Sequence, residues 1–149
     1  MENIIQELVD YSGKLFFIRE DNNLKIPAFS TIEYDFRNNP RNVIVINKKL
    51  IPDTDISVLA HILAHEYGHH IYEHVTINPI TLNEAQYMQV ECEADFYALM
   101  FIEKYKYNKS AITRFMIDTT HDSILLKKRL DVINGVIDEV DKNSTLIHF

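Results

Sequence analysis

The stretch from Ile56 to Ile71 constrains this chain most, because it pairs a helical apolar pattern with an unusual polar sequence. After Ile56, Leu59, Ala60, Leu63, Ala64, Tyr67 and Ile71 recur at spacings of one, three and four, the stripe of a buried helix. Pro52-Asp53-Thr54-Asp55 supplies a helix start, with capping side chains and negative charge at the positive end of the dipole. Inside the pattern lies His65-Glu66-Tyr67-Gly68-His69, an H-E-x-x-H segment. His65 and His69 are four residues apart, so their rings leave one face, about 5–6 Å apart at Cβ. Two imidazole nitrogens can therefore converge on one ion at roughly 2.0–2.1 Å. Glu66 is rotated by about 100° from His65, which places its carboxylate beside the ion's open position as a base. A shuffled chain of this composition would contain H-E-x-x-H in roughly 2 cases of 100, so the surroundings must agree.

They do, beginning with Gly68. Glycine inside a helix costs on the order of 1 kcal/mol against alanine, and close approach of a second backbone would explain it. Five of the seven histidines lie between His61 and His74. His61 continues the row of His65 and His69, but the outer Cα atoms of that row are about 12 Å apart. One tetrahedral ion cannot span it, so His61 reads as structural. His70 and His74 turn off the ligand face; they either line the cleft or sit at the surface, and the surface is the reading favoured.

A third ligand is expected from the next helix, 83–105, which has no Gly or Pro. Glu91 and Asp95 are four apart and share a face, whereas Glu93 points almost the opposite way. Glu91 as ligand, with Asp95 accepting the ring N–H of a ligating histidine, completes a His2Glu catalytic site. Taken alone, the two carboxylates would read as a solvated acidic face. Ala94 and Ala98 permit the close approach that Gly68 suggests.

H-E-x-x-H followed by E-x-x-x-D resembles the gluzincin group of zinc metallopeptidases. More narrowly, L-A-H-E-Y-G-H-H with E-C-E-A-D-F-Y-A resembles the ImmA/IrrE family, small and often mobile-element- or phage-borne peptidases acting on helix-turn-helix repressors. The resemblance covers residues 43–101. It implies Zn2+ held by His65, His69 and Glu91, Glu66 as general base and Asp95 as the outer partner. Two departures stand out: Tyr97-Ala98 replaces the frequent F-A, and Glu73 with His74 beside it replaces a later histidine. By analogy with gluzincins, an exposed edge strand would hold an extended peptide. Residues 43–46 are the candidate, although so apolar a run also suits a buried core strand.

The remaining chain reads as support. Ile4, Ile5, Leu8 and Val9 make a short amphipathic helix ending at Gly13. Strands are expected at 15–18, 28–36 and 42–47, separated by Asp21-Asn22-Asn23 and Asn38-Asn39-Pro40. After the site, helices are expected over 109–118, with Ser110 as a possible cap, and over 122–140. The latter has Ile124, Leu125, Leu130, Ile133, Val136, Ile137 and Val140 as its apolar face. Lys127-Lys128-Arg129 reads as exposed helix surface. The polar tail ends in Leu146-Ile147-His148-Phe149, which docks on the domain or meets a partner. The expected fold class is thus α+β, a small antiparallel or mixed sheet on a zincin-type helical core. It forms one domain over 1–149, with a helix and sheet over 1–50, site helices over 53–105 and C-terminal helices over 108–140.

At 149 residues and 46% hydrophobic content, one domain can bury roughly 68–70% of its unfolded surface. A net charge of −7 argues against direct nucleic-acid binding. Cys92 is the single cysteine, expected as a small buried residue; it excludes an internal disulfide and suits a reducing compartment. The acidic start lacks a signal-peptide pattern and no window approaches 18 apolar residues, so the cytoplasm is the expected location. The implied function is zinc-dependent hydrolysis of a peptide bond in one protein, a transcriptional repressor by resemblance. An antirepressor-like binding protein that displaces its partner without cutting is the rival, and a toxin or anti-defence factor on the same scaffold is a third. Tyr72, Tyr87, Tyr97, His74 and His121 compete as the donor to a developing oxyanion.

Overall fold

A computed structural model describes residues 1–135. The fold is α+β, with a three-stranded mixed sheet and five α-helices among the described residues. Helix α1 (Glu2–Ser12) buries Ile4 and Leu8 and ends at Gly13, whose φ of 71° is the left-handed stop expected there. Strands β1 (Phe17–Glu20), β2 (Ala28–Tyr34) and β3 (Pro40–Ile46) form a sheet in the order β1-β3-β2. Strand β3 runs parallel to β1 and antiparallel to β2. The first strand begins two residues later than the apolar run suggests. Phe16 of that run is buried, tilted onto the Tyr67 ring at 4.7 Å, and Ile18 packs half-buried against the core, while Leu15 and Phe17 face solvent. Pro40 opens β3 instead of merely interrupting the chain, a strand position that needs no N–H donor.

Of the two readings of residues 43–46, the edge strand is overturned and the core strand stands. Val43, Ile44, Val45 and Ile46 are almost fully buried and pair with both neighbouring strands. Their backbone groups are spent, so residues 43–46 cannot receive a peptide; they are the buried core strand. The sheet edge nearest the candidate site is β2, which pairs with β3 alone.

Helix α2 (Ile56–Ile71) starts at Asp55, whose carboxylate accepts the Ser57 N–H. It is buried on most of its circumference, which makes it the axis of the molecule. Helix α3 (Glu84–Tyr105) opens with a capping box between Asn83 and Gln86 and lies against α2. A Cβ on Gly68 would meet the Ala94 Cα and the Tyr97 Cβ at 3.1 Å, so the glycine sets how near the two helices come. Gly68→Ala should therefore lower stability by about 1 kcal/mol, because overpacking of about 1–3 kcal/mol outweighs the propensity gain. Urea denaturation measures it, and a stabilised variant would mean that α3 yields freely.

Helix α4 (Lys109–Thr119) is capped by Asn108, which accepts the N–H of Ser110; Ser110 itself is not the cap. Helix α5 (Ser123–Ile133) is capped by Asp122 and gives way to Gly135 at φ 73°. The expected continuation to 140, with Val136, Ile137 and Val140, lies outside the described residues, as does the apolar end at 146–149. None of the described helices is long and apolar enough to cross a membrane. Cys92 is buried and free, and burial pushes its thiol up to about 12.

Candidate metal centre

Helix α2 delivers His65, Glu66 and His69 to one wall of a cleft, and α3 delivers Glu91 opposite. The Nε2 atoms of His65 and His69 face each other at 3.0 Å. Glu91 Oε2 lies 3.3 Å from the first and Oε1 lies 3.5 Å from the second. His65, Glu66 and His69 form a largely buried cluster, with ligand atoms within 4.8 Å of one another, that could hold a metal ion. Glu91 approaches both imidazoles more closely than Glu66 does, since Glu66 Oε2 is 4.0 Å from His65 Nε2. Glu66 is also engaged elsewhere: the Ser30 hydroxyl on β2 lies 2.8 Å from Glu66 Oε1 and 2.9 Å from its backbone oxygen.

Each imidazole is oriented from behind. Asp95 Oδ1 lies 2.7 Å from His65 Nδ1. A carboxylate can only accept, so His65 Nδ1 carries a proton and Nε2 is the atom turned to the cleft. Asp95 is 1% exposed and is gripped by Arg129 on α5, with Nε to Oδ2 at 2.7 Å and Nη2 to Oδ1 at 3.0 Å. Arg129 is therefore not exposed helix surface. Lys127, two residues earlier, is.

His70 and His74 are buried, against expectation. His70 donates from Nε2 to the Val43 carbonyl at 2.9 Å and stacks obliquely on Phe16, tying α2 to the sheet. His74 sits beyond the helix end. Glu73 adopts a left-handed conformation, φ 60°, and a short 3-10 turn (His74–Thr76) brings the ring back beneath His69. His74 Nδ1 is 2.9 Å from His69 Nδ1, and its Nε2 is 2.8 Å from Glu93 Oε1. His61 is buried with Nε2 3.9 Å from Asp95 Oδ1. Burial lowers it to about 3, so it packs as a neutral ring, as its position in the row suggests.

The electrostatics demand positive charge. Burial alone would lower His65, but Asp95 and Glu91 outweigh it and raise His65 to about 10. Burial likewise opposes ionisation of Glu91, yet the hydrogen bonds from His65 and His69 hold it well below the usual carboxylate range. Where the two Nε2 atoms and the Glu91 carboxylate converge, a divalent ion in place of the ring protons would meet the same demand.

Two lobes of the cleft, about 320 and 500 Å3, meet at this point; Ala28, His65, Glu66, Tyr87 and Glu91 border both. The larger lobe runs along Phe29, Ser30 and Thr31 of β2. Of the five candidate oxyanion donors, Tyr87 lines both lobes and His121 the smaller one. His74 is committed to His69 and Glu93, and the Tyr72 ring packs against His74 and Tyr97. Ser30, Glu93 and Arg129 are the members of this site that the sequence pattern missed, and His74 enters it behind His69 instead of as an oxyanion donor. No family model matches the chain, and no curated protein or solved structure matches it either. What the site can do rests on its own geometry.

Proposed function

We propose that the protein is a cytoplasmic zinc-dependent metallopeptidase in which His65, His69 and Glu91 hold Zn2+ and Glu66 is the general base. The observation that supports this reading is the convergence of both Nε2 atoms on one carboxylate. Tetrahedral ligands at roughly 2.0–2.1 Å from an ion stand about 3.3 Å apart; the two Nε2 atoms are 3.0 Å apart, and Glu91 brings Oε2 to 3.3 Å from one and Oε1 to 3.5 Å from the other. Two neutral imidazoles and one carboxylate leave a position open, the donor set of a catalytic zinc.

Bound there, Zn2+ supplies Lewis acidity toward a water molecule and the scissile carbonyl. The chain's own residues do the rest. Ser30 restrains one oxygen of Glu66 and leaves the other to accept a proton from the attacking water. The water oxygen bonds to the carbonyl carbon, the C–N bond breaks, and Glu66 passes the proton to the departing amine. Products are a carboxylic acid and an amine, and the remaining water proton passes to the amine to leave a carboxylate and an ammonium group. An extended substrate lies along the unpaired edge of β2, which borders the larger lobe. Tyr87 and His121 are placed to donate to the oxyanion.

Removing the third ligand tests the metal site. Glu91→Ala should weaken zinc binding by about 100-fold, the upper end of what outer partners contribute, while the distant Glu103→Ala leaves it unchanged. Equal zinc content in the two variants would overturn the ligand assignment.

The substrate we propose is a helix-turn-helix repressor of a mobile element, on the motif resemblance carried by His65-Glu66-Tyr67-Gly68-His69 and Glu91 to Asp95. Intact-mass analysis of the repressor encoded beside this gene, after incubation with zinc-loaded protein, tests it. Two fragments whose masses sum to the intact repressor plus one water are expected. A repressor that co-purifies uncut would establish the antirepressor-like binding activity instead.

A further inference from the structure

We infer that His74 and Glu93 are positioning residues of the metal site, forming a relay that orients His69 from behind. This rests on the metal reading above and extends it to residues outside the H-E-x-x-H and E-x-x-x-D patterns. Glu93 accepts from His74 Nε2–H at 2.8 Å, since a carboxylate has no proton to give. In the tautomer that Glu93 selects, His74 holds its proton on Nε2 and presents an Nδ1 lone pair to His69. The proton in the 2.9 Å contact between the two Nδ1 atoms therefore belongs to His69. That leaves the Nε2 lone pair of His69 turned toward His65 and Glu91, the tautomer a ligand needs.

Glu93 is 1% exposed, and no described Lys or Arg forms an ion pair with it. A carboxylate buried this deeply is costly unless its hydrogen bonds serve something. Asp95 differs in having Arg129 as counter-ion. Glu91, Glu93 and Asp95 stand at alternate positions of α3, so Glu93 faces away from the cleft. His74, turned back by the left-handed Glu73, closes that gap. One helix thus reaches both imidazoles, His65 directly and His69 through a second ring.

Zinc affinity, measured by competition against a chelator of known strength, tests the relay without any peptide substrate. Glu93→Leu and the double variant H74F/E93L should each bind zinc about 10–100-fold more weakly than wild type. The double variant removes both polar partners together, so neither is left buried and unpaired. Glu93→Gln retains a carbonyl for His74 Nε2–H and should bind close to wild type. Long-range 1H–15N spectra of the zinc-loaded wild type should show His69 protonated at Nδ1 alone, a signature a merely structural pair would not alter. A folded double variant with wild-type affinity, or a Glu93→Gln protein as weak as Glu93→Leu, would overturn the relay. If the wild type takes up no zinc, the metal reading falls and the relay with it; if wild type and double variant bind equally, only the relay falls.

Discussion

Glu66→Gln should reduce the cleavage rate by about 10²–10⁴-fold while leaving fold and zinc content intact. The substitution keeps the volume of the side chain and an oxygen that can still accept from Ser30, 2.8 Å away in the native protein. What disappears is basicity. An amide cannot take the proton from water or return it to the leaving amine, whereas the three ligand side chains are untouched. Cleavage followed by mass spectrometry, with zinc quantified on the same samples, separates the two effects. A variant that cuts within tenfold of wild type would remove Glu66 from the mechanism. One that loses zinc would mean that Glu66, not Glu91, completes the ligand set.

Arg129→Met should cost about 3 kcal/mol of stability at pH 7, the lower end of the range for breaking a buried ion pair. Arg129 is 18% exposed at its side chain and Asp95 is 1% exposed, so solvent screens the pair little. Methionine fills the volume of the arginine stem but leaves Asp95 with His65 as its remaining close polar partner. That retained bond is why the lower end applies. Burial works against ionisation of Asp95, yet Arg129 and His65 hold its carboxyl below the ordinary aspartate range. A depressed carboxylate contributes stability above its unfolded value, about 3.9, and loses it as pH falls through the folded value. The gap between wild type and Arg129→Met should therefore be widest near neutrality and narrow below about pH 4. Urea denaturation at pH 7 and at pH 3.5 measures both. An equal gap at the two values would separate the loss from Asp95.

His74 and Arg129 illustrate how far sequence pattern reaches. Both read as surface positions, for understandable reasons. A histidine five residues past a ligand falls off the ligand face if the helix continues, and a Lys-Lys-Arg run is ordinarily solvated. The helix does not continue: Glu73 turns left-handed and the chain folds His74 back under His69. The basic run splits by helical rotation, leaving Lys127 outside and Arg129 against Asp95. Likewise the apolar run at 43–46 is equally suited to an edge or a centre until its two neighbours are known.

What one helix can dictate was legible in the residues alone. His65 with His69, and Glu91 with Asp95, are pairs four residues apart, and helical geometry brings such pairs together whatever the rest of the chain does. Gly68 and Ala94 could be read as a close crossing because missing side-chain volume is visible in the residue types. Tertiary structure alone decided which residues stand behind those pairs. Ser30 reaches Glu66 across 36 residues, Arg129 reaches Asp95 across 34, and Glu93 meets His74 across 19. No periodicity links positions so far apart. They meet because burying α2 on nearly all sides packs β2, α3 and α4 around it, with α5 laid on α3, and each buried polar group must then find its partner among whatever those elements bring.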